Sequence, residues 1–339
     1  MGSFRPSSGE ERDRISSSRR DPVTLTLWAA AASLVALAVT LRGPRLRGAA
    51  ASTARPFLTL GGVIAVAALL DWWGVFARLS DGLVPDAAGA RSAFARVLIL
   101  TALLSGLVNL DVAVTVAMPV ALRVAGRTRV RAESLALAVA ATANASSILL
   151  PTSNVTNLLV IGRSPLGALA YVDHSWLAWL GVVTLAVAAL TLTLGRPRHE
   201  EVPGMEVISR VSLRPVLDLV PMFLAATGIR ALLPGGWTLP GGFAEQAGLG
   251  SLMSAGLNNL PAAASIHIAS ASAVWPAVLA MAIGPNLLLT GSVATVICRR
   301  IARNAGADLD PIRFSLVGLG LTPLLLAAAF LGLRLGGVA

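Results

Sequence analysis

Amide and hydroxyl side chains collect at four places in a chain that is otherwise strongly apolar. Asn109 and Asp111 fall in Ser105-Gly106-Leu107-Val108-Asn109-Leu110-Asp111. Asn144, Ser146, Ser153, Asn154 and Thr156 fall between Ala143 and Val160. Asn258 and Asn259 fall between Ser254 and Pro261, and Asn286, Thr290 and Ser292 follow Gly284 and Pro285. These groups both donate and accept hydrogen bonds, so together they suit a small solute rich in oxygen. No Lys or Arg falls in any of the four stretches. A site made from them works by hydrogen bonding, not by a cationic fork. Asp111 is the one acid in the set. A carboxyl held in a membrane cavity is a candidate proton carrier, and we assign Asp111 the proton-coupling role, with a helix-capping aspartate as the structural alternative.

The elements that would position these groups follow from the same residues. Pro151 removes a backbone donor and turns Leu150 away from helix. The neighbouring Ser and Asn offer the backbone local hydrogen bonds that compete with helix. The stretch Glu133 to Ile161 therefore reads as a helix that unwinds near Ser146 to Ser153 and restarts; a merely kinked helix with small packing residues is the alternative. An unwound segment in lipid needs protein or a watery cavity to satisfy its amides. Val97 to Leu122 reads as one long span or as a re-entrant hairpin with its tip at Gly106 to Asp111. An ionisable residue in mid-membrane costs about 2.5–3.5 kcal/mol on insertion scales, and the hairpin would put Asp111 and its polar neighbours in a cavity instead.

Composition sets the class. The 339 residues are 55% hydrophobic and 13% charged, with mean hydropathy +0.75, which is a polytopic membrane protein. The net charge of +10 lies in short arginine clusters between apolar runs, as in cytoplasmic membrane loops, and excludes nucleic acid as the expected partner. One cysteine, Cys298, allows no internal disulfide and no thiolate metal cage. There is no zinc-ligand spacing, nucleophile–base pair or phosphate-binding loop. The expectation is no enzyme, no cofactor and no metal, with any use of ATP requiring a peripheral ATPase.

In order, residues 1–21 read as a disordered cytoplasmic tail, and 22–56 as an extra span followed by a loop holding Arg42, Arg45, Arg47 and Arg55. Residues 57–194 form a first repeat, 195–214 a cytoplasmic linker, and 215–339 a second, inverted repeat. The repeat is seen in the polar stretches. Ser105 to Asp111 sits against Ser254 to Pro261, allowing one insertion, and Thr152 sits opposite Thr290. Each half then has a span, a polar-tipped hairpin, a broken helix and a span, with Gly162 to Ser175 as a short loop before the first half's last span. If the hairpins are re-entrant, each half crosses an odd number of times and the second is inverted. Inversion puts Arg123 to Arg131, Arg196 to Arg214 and Arg299 to Arg313 on one side, as the positive-inside rule asks. Arg42 to Arg55 falls on the other side. The fold expected is an all-α polytopic membrane protein, an inverted repeat with two re-entrant hairpins and two broken transmembrane helices, the architecture of secondary transporters. Asp71, His174 and His267 read as interfacial or packing residues. Asp218 and Arg230 pair with other helices or reach the surface.

These motifs resemble the arsenite efflux permease family (arsenical pump membrane proteins) of the ion transporter superfamily. The likeness is carried by Asn109-Leu110-Asp111 with Met118-Pro119, by Asn144-Ala145-Ser146 with Leu150-Pro151 and Ser153 to Leu158, by Asn258 to Pro261, and by Gly284-Pro285-Asn286 with Thr290 to Ser292. It covers roughly Phe57 to the C-terminus. The chain has fewer spans than that family usually has, the missing helices falling in pairs before each hairpin. The resemblance implies a proton-coupled exporter of arsenite or antimonite in the inner or plasma membrane, with the N-terminus cytoplasmic. It also implies a homodimer and a docked ATPase as partners to look for. A sodium/proton antiporter, an organic-anion carrier of the same superfamily, or a shortened membrane interaction protein that no longer transports are the other readings.

Overall fold

The computed structural model describes residues 22–75, 78, 82, 89–128, 130–196, 214–233, 235–268 and 270–338. The expected disordered tail, Arg129, most of the 195–214 linker and the side chains of Asp71 and Asp218 lie outside what is described. The described residues are helical apart from short connections and isolated bridges such as Trp237 with Ile266.

The first helix, α1 (Pro22–Trp72), carries one non-helical residue, Arg42 (φ −145°, ψ 34°). Its contacts with α7 (Arg214–Leu232) show that the chain folds back there. Before Arg42, Leu34 meets Gly228. Ala38 and Ala49 then cluster with Ala231. After it, the Thr53 hydroxyl lies 2.8 Å from that of Thr227, and Phe57 packs edge-on against Phe223. The register along α7 rises and then falls. A straight helix would put Leu34 and Thr53 about 28 Å apart at 1.5 Å per residue, yet they touch adjacent residues of α7. The two arms are therefore separate, antiparallel helices. The expected loop from Arg42 to Arg55 shrinks to the turn at Arg42 and the residues after it are helical, because Arg and the alanines of 49–54 are good helix formers.

The first half continues as α2 (Ala90–Leu107) and α3 (Leu110–Thr128), α4 (Ala132–Ser146) and α5 (Val155–Ile161), then α6 (Ala168–Leu194). The expected loop before α6 is shorter than Gly162 to Ser175, since α6 begins at Ala168. The second half runs α7, then α8 (Phe243–Leu257) and α9 (Asn259–Ser265), α10 (Val274–Ile283) and α11 (Val293–Asn304), and α12 (Pro311–Leu335). Val97 to Leu122 is thus a hairpin, and both central stretches are broken. Among the described residues Trp28–Ala51, Ala90–Leu107, Ala168–Leu194 and Pro311–Leu335 are long and apolar enough to cross a membrane, the first of these windows running over the turn at Arg42.

The directions are fixed by contacts. The face where α4 begins is called A, and the face where α5 ends is called B. Gly195, at the end of α6, approaches Phe94 near the start of α2, so hairpin α2–α3 opens on face A. Ile266, just past α9, is bridged to Trp237 just past α7, so hairpin α8–α9 opens on face B. The halves are inverted. They also interlock: α3 packs on α11, and α9 packs on α5. Closing the bundle, Gly332 of α12 lies against the backbone of Ala178 of α6, where a side chain would not fit. The buried centre is α9 and α10, buried at every position, and α4, buried from Ser134 onward. By contrast α6 and α12 expose leucines such as Leu169, Leu192, Leu316 and Leu319, the surface a lipid-facing helix presents.

Candidate functional site

Each hairpin tip hangs on the break of its own half, by the same pair of bonds. Asn109 donates from Nδ2 to the Thr152 carbonyl (3.0 Å), while its Oδ1 accepts from the Asp111 amide (2.9 Å). Asn258 donates from Nδ2 to the Thr290 carbonyl (3.0 Å), while its Oδ1 accepts from the Leu260 amide (3.3 Å). In both, one amide caps a helix and holds an unwound carbonyl. The tips superpose in role without the insertion expected from sequence: Ser105 and Ser254 each stand four residues before the tip Asn. This register puts Leu260 where the first half has Asp111. Asn109, not Asp111, is the cap of α3. Asp111 lies buried in the first turn, where the helix dipole favours its charge, within electrostatic reach of Cys298 on α11.

The restarts match as well. Asn154 caps α5, its Oδ1 accepting from the Thr156 amide (3.1 Å), and Ser292 caps α11, its Oγ accepting from the Ala294 amide (3.2 Å). The unwound carbonyls of the first break are satisfied one by one. Ser153 donates to Ser147 O (2.8 Å) and Leu150 O (2.7 Å); Asn157 donates to Ser147 O (2.9 Å). From α6, Tyr171 donates to Ile148 O and Ser175 to Leu149 O, each at 2.8 Å. Ser146 returns its hydroxyl to Thr142 O (2.6 Å), and Asn259 donates to Met281 O (3.3 Å). Ser146, Ser153, Asn154, Asn259 and Ser292 are thus engaged in holding backbone, and the Thr290 side chain is exposed.

One link joins the breaks across the halves. Asn144 donates from Nδ2 to Asn286 Oδ1 (3.0 Å) and to Thr295 Oγ1 (2.9 Å), and Asn286 donates to Ala141 O (3.2 Å). Asn144 Oδ1 is buried with no hydrogen-bond partner, and so are Thr142 Oγ1, Thr156 Oγ1 and Asn157 Oδ1. Buried polar atoms are normally paired, so these oxygens of α4 and α5 have bonding capacity left over, as does the buried Ser254 hydroxyl of the second hairpin. A groove of about 660 Å³ between α8 and α12, lined by Leu249, Leu252, Leu319 and Leu326, is apolar and lies apart from this network. His174 lies outside it too, its Nδ1 2.5 Å from Ala170 O.

Sequence reasoning missed Tyr171, Ser175, Asn157, Thr295 and above all Arg163. The Arg163 guanidinium donates to Leu159 O on its own helix (2.6 Å). It also donates to Ala263 O and to Ile266 O (2.8 Å), with Ala264 O at 3.5 Å. Burial, and next the nearby charge of Arg230, push Arg163 down to about 10. The signal was available: Arg163 stands alone after the restarted helix, outside every arginine cluster.

The chain matches the family described as citrate transporter, CitMHS, over residues 15–317. That sets it in the ion transporter superfamily, while the narrower likeness to arsenite efflux permeases rests on the motifs alone. No curated protein matches the chain.

Proposed function

The chain belongs to the citrate transporter family CitMHS and is a secondary transporter of the membrane, and we propose that it carries a small oxygen-rich acid through a site between its two breaks. The observation that carries this reading is the Asn144–Asn286–Thr295 link, which joins the breaks of the two inverted halves beside unpartnered oxygens. Irregular backbone at the meeting point of inverted repeats is where such carriers hold their substrate. We place the solute among Asp111, Asn144, Thr156, Asn286 and Thr295. Asn109, Asn258, Ser146, Ser153, Asn154, Asn259, Thr290 and Ser292 shape the backbone that contacts it. Family membership favours a citrate-like carboxylate. Arsenite or antimonite, a neutral trihydroxy acid near neutral pH, is the second reading, favoured by a network of amides and hydroxyls without Lys or Arg.

Flux of labelled citrate and of arsenite into proteoliposomes, at varied pH and sodium, tests this. The expected result is citrate movement driven by a proton gradient and lost in Asn144→Ala. Arsenite flux without citrate flux selects the second reading, and sodium dependence replaces the proton as driver. If neither solute moves under any gradient, the site has another purpose. Asp111→Asn should abolish the pH-driven component while leaving exchange at equal pH, and unchanged pH drive would remove Asp111 from the mechanism.

A further inference from the structure

The two walls that close the centre differ in thickness. Toward face A lie α3, with 19 residues, and α11, with 12. At 1.5 Å per residue they are about 28 and 18 Å long. Their counterparts toward face B are α9 and α5, with seven residues each. Each is only about 10 Å long. Helices this short are not stable alone and depend on what holds their ends. The end of α9 is held twice. Trp237 donates from its amide to Ser265 O (2.6 Å) and accepts from the His267 amide (2.9 Å), which ties α9 to the connection after α7. Arg163 takes the carbonyls of Ala263 and Ile266, which ties α9 to α5 of the other half. The first tie lies within one half. The second crosses between halves, at the seam that must part if solute is to leave toward face B.

We propose that the α5–α9 wall is the thin gate of this carrier and that Arg163 is its latch: solute passes between the centre and face B when the guanidinium releases the last carbonyls of α9. The inference rests on the carrier reading above. The chemistry suits a latch. A guanidinium presents several donors in a fixed fork, and a cation at a helix C-terminus is favoured by the dipole. Arg163 is anchored to its own helix through Leu159 O, so the fork stays poised while α9 moves. Arg230 lies close enough for its charge to act on the Arg163 guanidinium. Arg163 is a positioning residue in this scheme, with no contact to solute.

The test uses Ser265→Cys, a near-isosteric change at the buried end of α9, labelled by a membrane-impermeant thiol reagent applied from face B. Arg163→Gln should raise the labelling rate about tenfold, as a minor open state becomes more populated. Arg163→Lys, which keeps the charge without the fork, should fall between. Ser134→Cys, buried at the face-A start of α4 and labelled in a separate run with the same reagent applied from face A, is the control and should keep its rate. An unchanged rate at position 265, or a parallel rise at 134 that signals general loosening, overturns the latch. Should Arg163→Gln fail to insert, Arg163→Lys carries the same readout. The labelling needs no solute, so it succeeds or fails independently of which acid is carried. Protection of position 265 by citrate would then connect the two.

Discussion

At the residue scale the molecule turns on Asn144. Its Nδ2 serves two acceptors in the other half, Asn286 Oδ1 and Thr295 Oγ1, and both are wholly buried. Asn144→Ala leaves those acceptors unpaired at a cost of about 1–3 kcal/mol each. Asn144→Asp should be worse, because a carboxylate cannot donate and would bring charge against Asn286 Oδ1. Thermal melting in detergent should therefore rank wild type above Asn144→Ala above Asn144→Asp. The double variant with Asn286→Ala should lose less than the two single losses added, since the partners share one network. Additive losses would mean that the halves are not joined there. The place of the break was legible in the sequence, since Pro151 and the small polar residues around it act on their own backbone. The partners were not. Ser153, Asn154 and Ser292, read from the sequence as site residues, cap and hold backbone. Tyr171 and Ser175, on a later helix, supply bonds to Ile148 and Leu149 that no local pattern announces.

At the element scale, close approach decides what the breaks tolerate. A Cβ added to Gly284 would lie 2.6 Å from the Cα of Ser251 on α8, and one added to Gly318 of α12 would fall on the Asn286 carbonyl oxygen. Neither obstacle is a flexible side chain, so an element must shift. Gly126 in α3 and Gly248 in α8 have nothing within 4 Å. Gly284→Ala and Gly318→Ala should each destabilise by about 1–3 kcal/mol through overpacking. Gly126→Ala and Gly248→Ala should be neutral or stabilising by up to about 1 kcal/mol, the usual gain of Ala over Gly in a helix. Melting of the four variants side by side checks this; a loss at Gly126 equal to that at Gly318 would contradict the packing. The same scale explains where element boundaries were misread. Arginines between Arg42 and Arg55 look like a loop by charge, but they carry good helix propensity, and only contacts with α7 reveal the reversal at Arg42. The seven-residue length of α9 is equally hidden, because its end is set by Trp237 and Arg163 and not by a local stop signal.

At the scale of the whole molecule, inversion was legible because polar tips and breaks recur in one order, and the contacts supply the register that sequence alone could not settle. Orientation follows by argument from the faces. Arg123, Arg127, Arg131, Arg299, Arg300 and Arg303 are among the described arginines at face A, while Arg42, Arg45 and Arg47 lie at the α1 turn on face B and Arg230 at the face-B end of α7. The bias that sets orientation counts basic residues near span ends and gives acids little weight, and the first span usually dominates. Arg12, Arg14, Arg19 and Arg20 precede that span, so Asp13 and Glu11 among them do little to offset the pull inward. Arg163 on face B is spent on carbonyls and Arg334 sits over the Phe330 ring, 5.4 Å from its centre, so neither is a free loop charge. We therefore expect face A to be cytoplasmic and the α1 turn to be carried across despite its arginines. In intact cells an impermeant thiol reagent should label Ser270→Cys, exposed after α9, and should label Arg303→Cys, exposed at the end of α11, only after permeabilisation. The opposite pattern would put the thin α5–α9 wall toward the cytoplasm, and the gate held by Arg163 would then control solute entry from inside the cell instead of exchange with the outside.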